Sequence, residues 1–167
     1  MCIELKTNFT HRYKPIECRD CPGREIPIPE SIVCETSDDI YELVKDELLS
    51  SDREILLAIM LSENNQVIEV VTICTGGLEG CPVALQELLR SAVTSNASSI
   101  ALCHNHLSGN LTPILEELTL SDNILDVRRN LRIELADHLI ITHEGYRSVF
   151  SPENSKEGLN KVNPDPE

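Results

Sequence analysis

His104 and His106 stand two residues apart at the end of the apolar run SIALC (99–103), and Glu117 follows after a polar, glycine- and proline-containing stretch. If that run is a β-strand, side chains at i and i+2 leave it on one face, so the two imidazoles can meet at one point. Ser108, Gly109 and Asn110 read as a turn that could bring Glu117 back toward them. Two neutral imidazoles and one carboxylate, with a fourth position left to water, form the ligand set of a catalytic zinc hydrolase. The same residues also fit two solvated histidines in a capped turn, and spacing alone leaves both readings open.

Other reactive side chains give weaker signals. Cys18-Arg19-Asp20-Cys21, with Cys34 further on and His11 or Cys2 upstream, could supply four ligands to a structural zinc, or could be reduced thiols in an irregular segment. Glu54, beside Asp52 and Arg53 at a strand entrance, reads by itself as a solvated carboxylate. His138, next to Asp137 in an apolar run, reads as a hydrogen-bonded structural histidine rather than a ligand. Glu87 lies on a helix behind a glycine-rich loop, where facing water is favoured over lining a cleft. The letters His-Asn-His do not indicate the nuclease motif of that name, whose residues are dispersed over a much longer segment.

The elements that must position these groups can be read from periodicity. Ser37 is expected to cap a helix over 38–49, in which Ile40, Leu43, Val44 and Leu48 share one face. EILLAIML (54–61) and VIEVVTICT (67–75) are strand-length apolar and β-branched runs around a polar ENNQ, the pattern of a buried antiparallel hairpin. Gly76, Gly77 and Gly80 mark a loop, and Leu85, Leu88, Leu89, Ala92 and Val93 then recur at helical spacing. A strand over 99–103 precedes the histidines. Thr112 and Pro113 are expected to start a helix over 113–130, with Glu116 and Glu117 near its first turn, where the helix dipole favours anions. Strands over 132–143 and 146–150, joined at Glu144 and Gly145, complete the order αββαβαββ. This describes an α/β domain of two or three layers with a mixed sheet, spanning 36–150. Residues 1–35, with Pro15, Pro22, Pro27 and Pro29, read as an irregular cysteine-containing arm, and 151–167 as a disordered tail.

Composition limits the function further. With 167 residues, one domain with a sizeable core is expected. The formal charge of −14 repels phosphate backbones, and aromatic residues are only 3% with no Trp, which removes a stacking platform for bases. Direct nucleic-acid binding is therefore not expected. Seven cysteines are an odd count, and three of them lie in apolar stretches, against a disulfide framework. The start MCIELKTNFTHRYK has no apolar run with a small-residue cleavage site, and no stretch has the roughly 18 apolar residues of a membrane helix, so a cytoplasmic location is expected.

HNHLSGNLTP (104–113) is similar to the HNHPSG hallmark of the RadC-like branch of the JAB/MPN metalloprotease superfamily, in which a proline-containing turn and a helix with an acidic ligand follow. Further landmarks keep that family's order. Glu54 precedes an apolar strand, Gly76 follows the second strand, Glu87 lies in LQELL, and Asn96-Ala97 precede the third strand. DHLII (137–141) is then followed by Ser148. From Ser37 to Phe150 the chain resembles this branch, and the resemblance implies an MPN/JAB-like (cytidine deaminase-like) mixed β-sheet flanked by helices. Longer members carry an N-terminal helical segment for which residues 1–35 show no pattern.

By the same resemblance His104 and His106 match two zinc ligands, and Glu117 takes the place of the usual aspartate ligand. Glu54 matches the glutamate that serves as general base toward the attacking water. Ile114 stands where these enzymes place a serine whose hydroxyl steadies the tetrahedral intermediate, and Leu107 replaces the usual proline. Loss of one such donor typically costs about 100- to 1,000-fold in rate. The function this implies is zinc-dependent peptidase or isopeptidase action on an unidentified peptide or protein substrate, impaired by Ile114 and Glu117. The alternatives are a non-catalytic MPN-type scaffold and an accessory role in DNA repair, the latter opposed by the charge.

Overall fold

The structure, a computed structural model, describes residues 32–76 and 84–149. Eight elements appear in the expected order: α1 (Ser37–Leu49), β1 (Ile55–Leu61), β2 (Val67–Thr75), α2 (Ala84–Thr94), β3 (Ser99–Asn105), α3 (Leu115–Leu131), β4 (Glu134–Thr142) and β5 (Gly145–Ser148). The strands form one sheet in the order β2-β1-β3-β4-β5. β3 and β4 run parallel and every other neighbouring pair is antiparallel, so the sheet is mixed.

Strand alternation sorts the core into two halves and makes the domain three layers. Leu57, Ile59, Leu61, Ala101, Cys103, Leu139 and Ile141 point to the face covered by Ile40, Val44 and Leu48 of α1. Leu56, Ala58, Met60, Ile100, Leu102 and Leu135 point to the other face, against Leu88 and Ala92 of α2 and Leu120 and Ile124 of α3. Covering on both faces is why β1 and β3 read as unbroken apolar runs rather than as alternating ones. Each fully buried Leu or Ile here contributes roughly 1.5–3 kcal/mol relative to exposure. Cys34, Cys74 and Cys103 are buried in these clusters, and burial, followed by the Asp39 charge, pushes the Cys34 thiol up to about 11. Cys2, His11, Cys18 and Cys21 of the possible second metal site lie outside the described residues, as do most of the arm and the tail.

Local chemistry shifts several boundaries. Thr36, not Ser37, caps α1: its hydroxyl accepts the Asp39 N–H, while the Asp39 carboxylate accepts the Thr36 N–H. Ser37 is the first helical residue, and its hydroxyl crosses to Asp137 on β4. β3 continues through His104 and Asn105, because these pair with Leu56 of β1 and with Ile140 and Ile141 of β4. α3 begins at Leu115 rather than 113, since the Glu117 carboxylate accepts the N–H of Ile114 and sets the first turn there. Among the described residues, no helix is long and apolar enough to cross a membrane.

Candidate metal centre

His104 lies on an even position of β3, so its ring faces the α2/α3 side of the sheet, while Asn105 faces the α1 side. His106 follows directly, its N–H donating to the carbonyl of Ile141 on β4. The chain then turns through Gly109, whose φ of +78° favours a residue without a side chain. The inward stripe of α3 is Glu117, Leu120, Ser121 and Ile124, spaced i, i+3, i+4 and i+7. Its two polar members lie at the end nearest the histidines.

These elements converge three donor atoms. Glu117 Oε1 is 2.6 Å from His104 Nε2 and 2.7 Å from His106 Nε2, and the two Nε2 atoms are 2.9 Å apart. Glu117 is 2% exposed, His104 5%. The longer glutamate therefore reaches the pair, and its second oxygen, Oε2, accepts the Ile114 N–H. Burial disfavours the Glu117 charge. The hydrogen bond and charge of His104, with hydrogen bonds from His106 and Ile114, outweigh burial and hold its pKa at about 2, below the ordinary 4.5.

The surrounding hydrogen bonds show what the trio can hold. His106 Nδ1 is 2.6 Å from the carbonyl of Asn110, which only accepts, so the proton of that ring sits on Nδ1. Ser121 Oγ donates its single proton to the Glu117 carbonyl at 3.1 Å, so it must accept from His138 Nδ1 at 2.8 Å. A neutral His138 then has its lone pair on Nε2, which takes the Nδ1 proton of His104 at 3.1 Å. Burial first, and the His104 charge next, push His138 down to about 3, so it is neutral near pH 7. Both Nε2 atoms and Oε1 face one another across 2.6–2.9 Å, and a cation seated among the three would bond them all. A tetrahedral ion with bonds of about 2.0–2.1 Å sets donors about 3.3 Å apart, so the three atoms would part by roughly half an ångström to admit one. The donor set fits a divalent metal.

Glu54 and Ile114 line the same cleft of about 280 Å³, together with His104, His106 and Glu117. Glu54 lies just before β1, and its carbonyl accepts the Gly76 N–H at 2.7 Å. Asn105 fixes both neighbours of Glu54: it accepts the Ile55 N–H at 2.7 Å and donates to the Arg53 carbonyl at 2.9 Å and the Leu48 carbonyl at 3.1 Å. Glu87 is not among the residues lining this cleft, and it does not simply face water: its side chain is 14% exposed and paired with Arg90 one turn along α2.

The RadC-like JAB domain matches residues 34–156. The chain belongs to this family. Among RadC-like relatives, a UPF0758 protein of Clostridium perfringens is 40% identical over 111 residues, covering 66% of this chain and 49% of the relative. A UPF0758 protein of Desulforamulus reducens is 32% identical over 126 residues, 75% of this chain and 56% of the relative. A third, from Protochlamydia amoebophila, is 37% identical over 127 residues, 76% and 54% of the two chains. The chain thus spans about half the length of the relatives it matches. The resemblance drawn from HNHLSGNLTP is borne out at the level of family and fold.

Sequence reasoning passed over Asn105 and Ser121. Asn105 was visible only as the middle letter of His-Asn-His, on the opposite side of the strand from His104. Ser121 could have been found from its i+4 spacing to Glu117 on the inward stripe of α3.

Proposed function

We propose that this protein is a zinc-dependent hydrolase of amide bonds in peptides or proteins, with His104, His106 and Glu117 as metal ligands and Glu54 as general base. The observation that carries it is the convergence of His104 Nε2, His106 Nε2 and Glu117 Oε1 in a cleft that Glu54 also lines. Zinc bound there would supply a Lewis acid that lowers the pKa of water from about 16 toward 7. The Glu54 carboxylate, on the cleft wall formed by the start of β1, would take the proton of the attacking water and return it to the leaving amine. Asn105 holds the backbone on both sides of Glu54, so the base keeps its place relative to the histidines on the neighbouring strand.

Ile114 favours a second reading, a metal-binding module without efficient catalysis. Its side chain is 39% exposed, lines the cleft and offers no hydrogen-bond donor. The separating experiment measures zinc per chain and cleavage of a fluorogenic peptide library in the parent and in Glu54→Gln. The hydrolase reading expects about one zinc in both and cleavage in the parent only. Zinc in both without cleavage in either supports the module; no zinc in the parent refutes both.

A further inference from the structure

His138 is 0% exposed and lies on β4, one strand from His104 and on the same face of the sheet. Its backbone is fixed by Asp137, whose Oδ1 accepts the His138 N–H at 2.7 Å and the Ser148 hydroxyl at 2.5 Å while Oδ2 accepts the Ser37 hydroxyl at 2.5 Å. Asp137 faces α1 and His138 faces α3, so alternation along one strand separates the anchoring carboxylate from the working ring. The ring has two hydrogen-bond positions and both are used, toward His104 Nδ1 and toward Ser121 Oγ.

An imidazole without a partner can carry its proton on either nitrogen. On His104 a proton at Nε2 would point at the ion position and block the ligand. The partner at Nδ1 therefore decides whether the ring can coordinate at all, and metal-bound histidines usually give that proton to a carboxylate, a carbonyl or water. Here the partner is an imidazole, the ring of His138. A buried carboxylate at 138 would add a second anion beside Glu117, whereas the ring accepts the proton without adding charge. It also continues the chain of bonds through Ser121 to the Glu117 carbonyl, so one network sets the angle of a β3 ligand and the backbone of the α3 ligand.

We propose that His138 is a positioning residue of the metal centre: it takes the Nδ1 proton of His104, holds the Nε2 lone pair toward the ion, and ties that ring through Ser121 to the helix bearing Glu117. This rests on the metal-dependent reading of the site, but not on its hydrolase chemistry.

The test uses three variants of the full chain. His138→Gln sets an amide oxygen where Nε2 lies and can still accept from His104. His138→Asn sets its amide near Nδ1 and reaches Ser121 only, and His138→Phe fills the space with no acceptor. Zinc affinity is measured by competition with a chromogenic chelator. The His104 tautomer is read in the metal-free chain from long-range proton–nitrogen NMR couplings. The expected result is an Nδ1-protonated His104 and near-parental affinity in His138→Gln. In His138→Asn and His138→Phe a mixed tautomer and a 10- to 100-fold loss of affinity are expected. Equal losses in all three, or an unchanged tautomer in His138→Phe, would overturn the proposal and leave His138 a packing residue. A parent chain that takes up no zinc overturns it together with the metal-dependent reading. Zinc binding with the expected variant pattern but no peptide cleavage supports it and overturns only the hydrolase reading.

Discussion

Replacing Asn105 by alanine removes a clamp rather than a ligand, and its cost can be worked from the hydrogen bonds. Asn105 is 3% exposed and bonds the Ile55 N–H and the Arg53 and Leu48 carbonyls, joining the end of β3 to the α1–β1 connection and the start of β1. At a net value of about 1 kcal/mol per hydrogen bond, three bonds amount to about 3 kcal/mol. Stranding three groups beyond reach of water would cost more, roughly 1–3 kcal/mol each. Two of the three bonds are only part-buried, so water can enter beside them and the expected loss stays near the lower figure. Urea denaturation of metal-free parent and Asn105→Ala should therefore show a difference of about 3 kcal/mol with an unchanged denaturant slope. Because Arg53 and Ile55 flank Glu54, the folded variant should keep its zinc while turnover falls more than substrate affinity. A stability change below about 1 kcal/mol would show that solvent replaces these bonds and that Asn105 does not fix the Glu54 segment.

Zinc at 100 times its dissociation constant should stabilise the chain by about 2.7 kcal/mol, roughly a 10 °C rise in melting temperature, and His104→Ala or His106→Ala should abolish that rise. Adding a hydroxyl by Ile114→Ser together with Glu117→Asp should raise peptide cleavage by about 100-fold if a missing oxyanion donor limits the rate, and Glu54→Gln should abolish the gain. In the metal-free protein, stability should fall with acid in two overlapping windows. The unfolded chain protonates His138 below about 6.5 while the folded chain resists until about 3, and it protonates Glu117 below about 4.5 while the folded chain resists until about 2. Both pKa values are depressed on folding, so both contributions are present at neutral pH and lost on acidification. Urea midpoints across pH 7 to 4 should show a shallower slope in His138→Phe than in the parent.

The convergence of His104, His106 and Glu117 was legible because its information is local. Strand alternation aligns His104 with His106, and a short turn limits where Glu117 can go. The element order and the apolar face of α1 follow likewise from local pattern, and the unbroken apolar runs of β1 and β3 report burial on both faces. The starts of α1 and α3 were misplaced because a side chain chose the cap: Asp39 answers Thr36, and Glu117 bonds the Ile114 N–H.

What tertiary structure alone decided concerns residues far apart in the chain. Only the parallel register of β3 with β4 brings His138 to His104, and only the α3 stripe adds Ser121 to that network. Only the antiparallel register of β1 with β3 sets Asn105 against the backbone around Glu54. Side-chain chemistry and short spacing fixed which atoms meet at the end of β3. The direction in which each ring carries its proton depends on partners from other elements, and a hydrogen bond has no sequence period to announce it.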